Sequence, residues 1–461
     1  MKNMATDTIA AISTPLGEGG IGIIRLSGPD AIKVASKIFK PKKNINLEKQ
    51  KSHTLHLGHI LKNRTLLDEV LVSIMKSPHS YTKEDVVEIN CHSGVLVLRS
   101  ILELALRHGV RVAQPGEFTK RAFLNGRIDL SQAESVMDLI GALSSKGLRL
   151  ATQQLSGRLS IKIKDLRIEL LDLLTHIEAL LNFPEDGVSS TSRSSILSSV
   201  KKMQKKIESL IDTADQGEIF RHGVRTVIAG KPNVGKSSLL NTLMEEERAI
   251  VTEIPGTTRD TVEGVIHIQG LSFRLIDTAG LQPVSNIVEK IGIARSKKKI
   301  LEADLILFML DESTKVDSND KKMFELVKGM HTIVLLNKTD LPSKTKISDI
   351  RKLVPKGMIL KISAKEEIGI DELKDTMFDT TLSKFKHHQS SVCVNMRHKE
   401  SLLNTQRSLD HIIHAMTKTK LTEEFVSLDL KNALDSLGQI TGETVNNEVL
   451  DRIFSKFCIG K

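Results

Sequence analysis

Residues 224–240 read VRTVIAGKPNVGKSSLL, and this stretch decides the fold of the module around it. It opens with a short apolar strand at 224–229, continues through 230–237, which match the pattern GxxxxGK[ST], and leads into a helix. Glycines in such a loop let backbone N–H groups surround phosphates, and the helix N-terminus adds positive potential. Lys236 can bring its charge to β- and γ-phosphates, and the Ser237 hydroxyl can bind Mg²⁺. The stretch therefore predicts a phosphate-binding loop in an α/β module.

Three further motifs follow, each at the end of a predicted strand. DTAG at 277–280 follows the strand 273–276, where Asp277 can hold the Mg²⁺ shell and the Gly280 N–H can sense a γ-phosphate. NKTD at 337–340 follows the strand 333–336, and a carboxylate at Asp340 can accept both N1–H and N2–H of guanine, a donor pair that adenine lacks. SAK at 363–365 follows the strand 358–362 and can offer a backbone N–H to guanine O6. Four motifs at successive strand ends predict that the nucleotide is GTP.

The segment TEIPGTTRD at 252–260 lies between the phosphate-binding loop and DTAG, in the switch I position. A threonine there should complete the Mg²⁺ shell, and Thr258 is our candidate beside Ser237. The alternative is an ordinary loop, since Gly, Pro and Thr also form turns. The residues predicted to bind GTP are Asn233, Val234, Gly235, Lys236, Ser237, Ser238, Thr252, Glu253, Ile254, Pro255, Gly256, Thr257, Thr258, Asp277, Thr278, Ala279, Gly280, Asn337, Lys338, Asp340, Ser363, Ala364 and Lys365.

The machinery for hydrolysis looks incomplete in this chain. Leu281 follows DTAG directly, where Ras-like enzymes have a glutamine, and an aliphatic side chain cannot orient water. Glu289 is an acidic residue at helical reach in switch II and is our candidate catalytic residue. Arg259 is better explained as a loop residue than as a finger for the charge that develops on the phosphate. The sequence therefore predicts that a second subunit or a cation completes the site.

The rest of the chain divides around this module. Residues 1–118 show short strand-like stretches broken by glycine and two helical stretches, which indicate an α+β domain. Residues 119–219 and 386–461 show helical periodicity, including one long amphipathic helix with a stripe from Leu155 to Leu180. Residues 220–385 alternate strands with helices. We predict a multidomain α/β protein in which a Ras-like, doubly wound G domain is inserted into an all-α helical domain.

Composition excludes several classes of protein. The 66 Lys and Arg against 56 Asp and Glu give a net charge of +10, and no apolar run approaches the ~18 residues of a membrane span. Three distant cysteines without a CxxC pair exclude a disulfide framework, and 3% aromatic residues argue against a base-stacking RNA platform. No signal peptide is recognisable, so we expect a cytoplasmic protein without a membrane partner. The lysines at 201–206 favour a solvated helix face over a nucleic-acid patch.

The outer parts carry more specific motifs: DTIA at 7–10, GGIGIIR at 19–25, PGEFTKRAFLNGR at 115–127 and a terminal CIGK at 458–461. Together with GKPNVGKSSLLN, PGTTRD and DTAG, they make the chain resemble the MnmE family (also called TrmE) of tRNA modification GTPases. The resemblance covers nearly the whole chain. It implies an N-terminal folate-binding domain that dimerises, a helical domain, and a G domain inserted into the helical one.

The resemblance also implies a site for a tetrahydrofolate derivative, in the 5-formyl or 5,10-methylene form. Its residues here would be Arg25, Glu88, Arg127 and the C-terminal Lys461. A carboxylate suits the pterin ring, and basic groups suit the glutamate tail. From composition alone, Arg25 and Glu88 are ordinary surface or salt-bridge residues. Cys458 has no assigned base, so packing explains it as well as nucleophilic chemistry.

For hydrolysis, the resemblance implies dependence on K⁺ and on two G domains meeting across a homodimer. Asn233, Thr252, Ile254 and Thr257 match the K⁺ ligands, Ser237 and Thr258 the Mg²⁺ ligands, and Glu289 the residue that orients water. The implied partner is the FAD-dependent MnmG, in a heterotetramer. The implied substrate is tRNA, which receives an aminomethyl or carboxymethylaminomethyl group at C5 of the wobble uridine.

Two other functions remain open at this point. A ribosome-assembly GTPase would use the same G module as a switch, but it predicts an appended RNA-binding module such as a KH fold. A GTP-gated scaffold shares every G motif with an enzyme subunit. Folate binding discriminates between a scaffold and a tRNA-modification enzyme, because a scaffold has no need of a convergent folate site.

Overall fold

The computed structural model describes residues 7–182, 193–245, 264–277, 300–355, 357–383, 392–417 and 423–461. The chain forms two compact units. The first comprises Met1–Met137, Gln154–Ile207 and Glu400–Lys461, and the second comprises Asp138–Gln153 and Glu208–Lys399. The predicted boundaries at 118, 219 and 385 do not coincide with this grouping, and the three-domain division stays a prediction. Within the described ranges, no helix has the length and apolar composition needed to cross a membrane.

The N-terminal part of the first unit is a seven-stranded sheet covered by helices. Its strands lie in the order β3-β4-β5-β6-β2-β1-β7, all antiparallel except for the parallel pair β1–β7. Apolar side chains of one sheet face, including Ile24, Val72 and Ile89, share a core with α1 and α2, where Leu98 of α2 is fully buried. The elements are β1 Ile9–Ile12, β2 Gly22–Ser27, α1 Ala31–Ile38, β3 Phe39–Pro41, β4 Thr54–Lys62, β5 Thr65–Met75, β6 Val86–Cys91, α2 Val95–Leu106 and β7 Arg111–Val112, with a 3₁₀ turn at Leu47–Lys49.

The helical region differs from its prediction at one point. The apolar stripe was expected to lie on one helix from Leu155 onward, but Leu155 ends α5 and a new helix begins at Arg158. Gly157 between them has a φ of +84°, a left-handed conformation that interrupts helical hydrogen bonding. The helices here are α3 Glu117–Leu124, α4 Leu130–Ile140, α5 Ser145–Leu155, α6 Arg158–Asn182 and α7 Arg193–Ile211.

The second unit contains a six-stranded sheet in the order β13-β12-β11-β8-β10-β9. All neighbouring strands are parallel except β9, which pairs antiparallel with β10 and which the sequence analysis missed. Separate apolar cores cover the two faces, as the doubly wound prediction requires. The elements are α8 Ala214–His222, β8 Val224–Gly230, α9 Lys236–Glu245, β9 Gly264–Ile268, β10 Leu271–Asp277, β11 Leu305–Asp311, α10 Ser318–Val327, β12 Thr332–Asn337, α11 Ile347–Leu353, β13 Met358–Lys361 and α12 Ile370–Leu382.

The C-terminal part returns to helices, as predicted. These are α13 Met396–Thr417, α14 Glu423–Thr441 and α15 Asn447–Phe454. Helix α14 packs along α6, where Lys431 and Ser427 both contact the carboxylate of Glu178. Phe454 and Phe457 pack with Leu130 and Ala133 of α4 in a small apolar core. The C-terminal residues are thereby fixed to the first unit.

Candidate functional site

The phosphate-binding loop lies between β8 and α9, as the motif predicts. Asn233 and Gly235 both have positive φ, +64° and +100°. A Cβ on Gly230 would lie 2.5 Å from the carbonyl oxygen of Met309, and one on Gly235 would overlap Asn337 Nδ2. Both glycines are therefore required by close packing against neighbouring strand ends, and the loop is fixed in an open turn before α9 begins.

Lys236 is the first residue of α9 and is almost completely buried. Its Nζ donates hydrogen bonds to the carbonyl oxygens of Gly230, at 3.1 Å, and Lys231, at 2.8 Å. These contacts hold a positive charge against the loop, next to the N-terminal N–H groups of the helix. Ser237 follows in the first turn of α9. The arrangement provides positive charge, helix dipole and a hydroxyl for a Mg²⁺-bound phosphate chain.

A second lysine ties the same loop to α10. Lys231 Nζ lies 2.9 Å from Asp317 Oδ2 and 2.8 Å from Asp320 Oδ2, and these two acids form the capping box of α10. Partial burial alone would lower the pKa of Lys231, but the hydrogen bonds to Asp320 and Asp317 raise it overall. The same contact from Lys231, with backbone N–H donors, lowers the pKa of Asp317 to about 2. The tie is therefore a charged pair at neutral pH.

Asn337 connects the phosphate-binding loop to the guanine loops. Its side chain is 3% exposed; Nδ2 donates to the Val234 carbonyl at 2.8 Å, and Oδ1 accepts the Ala364 N–H at 2.9 Å. Thr242 of α9 donates to the Ala364 carbonyl at 2.8 Å. Because Ala364 gives its N–H to Asn337, a backbone contact from SAK to guanine O6 would have to come from a neighbouring N–H, such as that of Lys365.

Asp340 is the predicted guanine-reading carboxylate, and it is exposed at the end of β12. Ser363 Oγ donates to its Oδ1 at 2.6 Å, and this hydrogen bond lowers the pKa of Asp340. Lys338, at a φ of +67°, places its Nζ 2.6 Å from Asp311 Oδ2. The carboxylate is thus ionised, oriented by a buried serine and ready to accept paired N–H groups.

Several predicted residues lie outside the described part of the chain. They are the switch I residues Thr252, Glu253, Ile254, Pro255, Gly256, Thr257 and Thr258, the DTAG residues Thr278, Ala279 and Gly280, and the switch II residues Leu281 and Glu289. Asp277 ends β10 beside the phosphate-binding strand, paired in register with Ile228 of β8. Two of the predicted metal ligands, Asn233 and Ser237, are placed at the loop, and the others remain predictions.

In the first unit, the predicted folate residues Arg25 and Glu88 lie opposite each other on β2 and β6. Arg25 Nε and NH2 contact Glu88 Oε1 at 2.8 and 2.7 Å, and Arg25 NH1 donates to the Gly460 carbonyl at 3.2 Å. Both charged side chains are about four-fifths buried, at 18% and 23% exposure. The salt bridge expected from composition is present, and it also reaches the C-terminal tail.

Tyr81 lies next to both Arg127, another predicted folate residue, and Arg25 of the salt bridge. Its ring lies 4.7 Å from the Arg127 guanidinium and 5.8 Å from that of Arg25, and its hydroxyl is 2.9 Å from Thr119 Oγ1. The ring of Phe118 lies 5.6 Å from Arg25. The sequence analysis missed both aromatic residues. A usable signal was present, because Tyr81 is the only tyrosine of the chain.

The C-terminal tail is docked by backbone hydrogen bonds. The N–H groups of Gly116 and Phe118 donate to the carbonyls of Cys458, at 3.3 Å, and Lys461, at 3.1 Å. Gly460 has a φ of +94°, and a Cβ there would overlap the Ile12 carbonyl. The fold thus links the four predicted folate residues: Arg25 and Arg127 lie over Tyr81, Glu88 pairs with Arg25, and the Lys461 backbone bonds to Phe118, whose ring lies under Arg25.

Comparison with known proteins gives a consistent result. The family model "MnmE helical domain" matches residues 130–458, and the model "GTP-binding protein TrmE N-terminus" matches residues 8–127. The chain is 48% identical to the tRNA modification GTPase MnmE of Thermoanaerobacter pseudethanolicus, over 99% of this chain and 100% of that one. It is 47% identical to the protein of that name from Clostridioides difficile, over 99% of each chain. The solved G domain of the T. maritima FeoB iron transporter is 28% identical over 34% of this chain and 98% of that chain, but its TM-score of 0.26 supports no argument.

Proposed function

Because the chain belongs to the MnmE family of tRNA modification GTPases, we propose that it hydrolyses GTP while modifying the wobble uridine of certain tRNAs. It acts with a FAD-dependent MnmG partner in a heterotetramer. A tetrahydrofolate derivative supplies the one-carbon unit for an aminomethyl or carboxymethylaminomethyl group at C5. The observation that carries the proposal is the convergence of Arg25, Glu88 and the C-terminal tail in a chain that also has a complete guanine-reading loop.

The GTP site supports recognition of guanine and binding of phosphate. Asp340 is ionised and held by Ser363, so that it can accept the two adjacent N–H groups of guanine. Lys236 holds its charge over the loop, and Ser237 and Thr258 would hold Mg²⁺, which neutralises charge on the β- and γ-phosphates. Glu289 would orient the attacking water. The charged and hydroxyl donors present in the loop fit a Mg²⁺–GTP complex.

The proposal includes activation by K⁺, which the resemblance to the MnmE family implies. The described part of the module places no arginine in the phosphate-binding loop, and a monovalent cation can supply the same positive charge at the phosphates. Asn233 is exposed in that loop, at a left-handed φ, which supports a role as a K⁺ ligand together with Thr252, Ile254 and Thr257. Two G domains of a homodimer would close around this site.

The candidate folate site favours a folate-dependent tRNA-modification enzyme over a GTP-gated scaffold. Arg25 and Arg127 lie over the ring of Tyr81, Arg25 pairs with the Glu88 carboxylate, and Arg25 also donates to the Gly460 carbonyl next to Lys461. A carboxylate can pair with the N–H groups of a pterin, and cationic groups can bind the carboxylates of its glutamate tail. A scaffold gives no reason to hold four separate stretches of chain in this geometry.

Potassium activation is tested by GTP hydrolysis in KCl and in NaCl at equal ionic strength. We expect the full-length protein to be strongly stimulated by K⁺. Asn233→Gly should abolish the stimulation, and glycine avoids the strain that alanine would suffer at a φ of +64°. Asn319→Ala, an exposed asparagine of α10, is the matched control and should behave as wild type. Equal rates in both salts would refute the potassium assignment and favour activation by a partner protein.

Folate binding is tested by calorimetry with 5-formyltetrahydrofolate. Wild type should bind, and Glu88→Gln should weaken binding at least tenfold, because it removes the charged acceptor (roughly 1.5–3 kcal/mol for such a bond). Glu48→Gln, at an exposed surface position of the same sheet domain, is the control. If the wild type does not bind folate, the proposed tRNA-modification enzyme loses its main support, and the GTP-gated scaffold becomes the better explanation.

A further inference from the structure

The positive charge of this protein is concentrated near its N-terminus. Residues 1–127 contain 19 Lys and Arg against 11 Asp and Glu, which accounts for most of the net charge of +10. Within this domain, residues 37–64 contain eight basic residues and a single acid, Glu48. Such a density is unusual for a surface that carries mixed charges, and it calls for a structural explanation.

The fold gathers five of these residues along one edge of the N-terminal sheet. Strand β3 is the outermost strand on this side, and its Phe39 and Lys40 pair with Ile60 and His59 of β4. Lys37 lies two residues before Phe39, in the last turn of α1, and Lys62 lies two residues after Ile60, at the end of β4. We define the basic edge as Lys37, Lys40, Lys43, Lys62 and Arg64.

The turn after β4 adds to the same edge. Asn63 and Arg64 both have positive φ, +50° and +69°, as in a tight hairpin turn between β4 and β5. After β3, the Lys42 N–H donates to the Leu57 carbonyl at 3.0 Å, so the backbone of Lys43 lies near Leu57 of β4. From Leu57 to Lys62 the strand rises by about 16 Å, at ~3.3 Å per residue. The backbone positions of the basic edge therefore follow β4 over this length.

The charges of the basic edge stand apart from the acidic side chains that the structure describes. In the part of the chain that the structure describes, none of its five side chains lies within 4 Å of an acidic oxygen, although Lys42 nearby pairs with Glu69 at 2.9 Å. Four of the five residues are exposed, and Lys62 is half-buried. Protection of a sheet edge from aggregation explains a lysine and a proline on β3, but not the charges on the turn and on α1.

We propose that the basic edge binds the phosphate backbone of tRNA. The inference rests on the proposed function for the presence of tRNA, and the geometry identifies the surface. A row of unpaired cations about 16 Å long can contact several successive phosphates, whose neutralisation releases counterions. The aromatic residue of this edge, Phe39, is buried, so the contact reads the backbone rather than the bases.

Helix α7 carries another run of lysines, and it serves as the comparison. Lys206 pairs with Glu169 at 2.5 Å, and Lys202 lines a cleft of about 440 Å³ together with Glu169 and Asp172. Acidic groups on the facing helix would repel phosphates there. This surface has similar lysine content but a mixed field, which makes it a matched control for the basic edge.

The test measures binding of unmodified tRNA to the full-length protein by filter retention between 50 and 300 mM KCl. The edge variant is Lys40→Gln/Lys62→Gln/Arg64→Gln, and the control is Lys201→Gln/Lys202→Gln/Lys205→Gln, which removes the same charge. We expect the edge variant to flatten the slope of log K against log salt by roughly 2 to 3, and to weaken binding roughly a hundredfold at 0.1 M. The control should keep the slope of the wild type.

Each outcome has a defined meaning. Wild-type protein that retains no tRNA at 50 mM KCl overturns the tRNA part of the proposed function. Wild-type binding with an unchanged slope in the edge variant overturns the basic edge, as does a larger loss in the α7 control. Circular dichroism and GTP hydrolysis in KCl check that the variants fold. If the triple variant does not fold, Lys43→Gln/Arg64→Gln changes only exposed side chains and should flatten the slope by roughly 1.5 to 2.

Discussion

Replacement of Asn337 by alanine should loosen the whole guanine end of the GTP site. The asparagine is 3% exposed and hydrogen-bonds two backbone groups from different loops, the Val234 carbonyl at 2.8 Å and the Ala364 N–H at 2.9 Å. Alanine removes both partners at once. Two polar backbone groups are then left in a buried position without a protein partner.

The size of the effect follows from those two groups. An unsatisfied buried donor or acceptor costs about 1–3 kcal/mol, so the pair costs about 2–6 kcal/mol. The smaller side chain leaves space for water near the loops, which brings the expected loss to about 2–4 kcal/mol. That loss corresponds to a roughly 30- to 1,000-fold larger population of locally open loops, at about 1.4 kcal/mol per factor of ten.

Hydrogen exchange followed by mass spectrometry measures this population directly, on the nucleotide-free protein. Peptides that contain Ala364 and the phosphate-binding loop should exchange faster in Asn337→Ala by that factor. Asn337→Asp is the matched control, because it keeps the acceptor for the Ala364 N–H and loses the donor to Val234. It should preserve protection at Ala364 better than alanine does. Unchanged exchange at both loops in Asn337→Ala would refute the idea that this side chain holds them together.

Three further predictions concern single residues. Asp340→Asn should weaken GTP binding at least tenfold and favour xanthosine triphosphate in competition assays, because an amide oxygen with an adjacent N–H donor cannot accept the paired N–H groups of guanine. The same preference for GTP in the variant as in the wild type would contradict the role assigned to Asp340. Thiol titration of the native protein at pH 8 should release one rapid equivalent, from the exposed Cys458, because burial raises the pKa of Cys91 to about 11 and also raises the pKa of the buried Cys393; rapid release of all three would contradict the burial. Gly460→Ala should weaken binding of 5-formyltetrahydrofolate at least tenfold in calorimetry, since a Cβ there overlaps the Ile12 carbonyl and displaces the tail from Arg25, and folate-free GTP hydrolysis should not change. Tight folate binding by this variant would show that the tail is not part of the folate site.

The GTP site was predictable because its chemistry is local. The phosphate-binding loop, NKTD and SAK each occupy a few consecutive residues at the end of an apolar strand, so spacing alone identifies them. What spacing does not show is how the loops are joined. The bond between Asn337 and Val234 connects residues 103 positions apart, and it depends on β12 and β8 both lying next to β11 in the sheet.

The misses have physical causes of the same kind. The break at Gly157 went unnoticed because the apolar spacing of Leu155 and Leu159 continues across it, while one left-handed glycine ends the helix. Strand β9 is five residues long and depends on pairing with β10 for its stability, so its own sequence is a weak signal. The contact between Arg25 and Gly460 joins residues 435 positions apart. Only the resemblance to the family, not the pattern of residues, predicted that Arg25 and the neighbouring Lys461 belong to one site.

The position of Tyr81 has an optical consequence. The chain has no tryptophan, so this single tyrosine is the source of its near-ultraviolet emission. The fluorophore lies 5.8 Å from the guanidinium group of Arg25 and 4.7 Å from that of Arg127, while the G module contains neither tyrosine nor tryptophan. Fluorescence of the unlabelled protein therefore reports events at one sheet of the N-terminal domain. Titration with a folate or with tRNA can be followed there once the absorbance of the added ligand and of guanine nucleotide is corrected for.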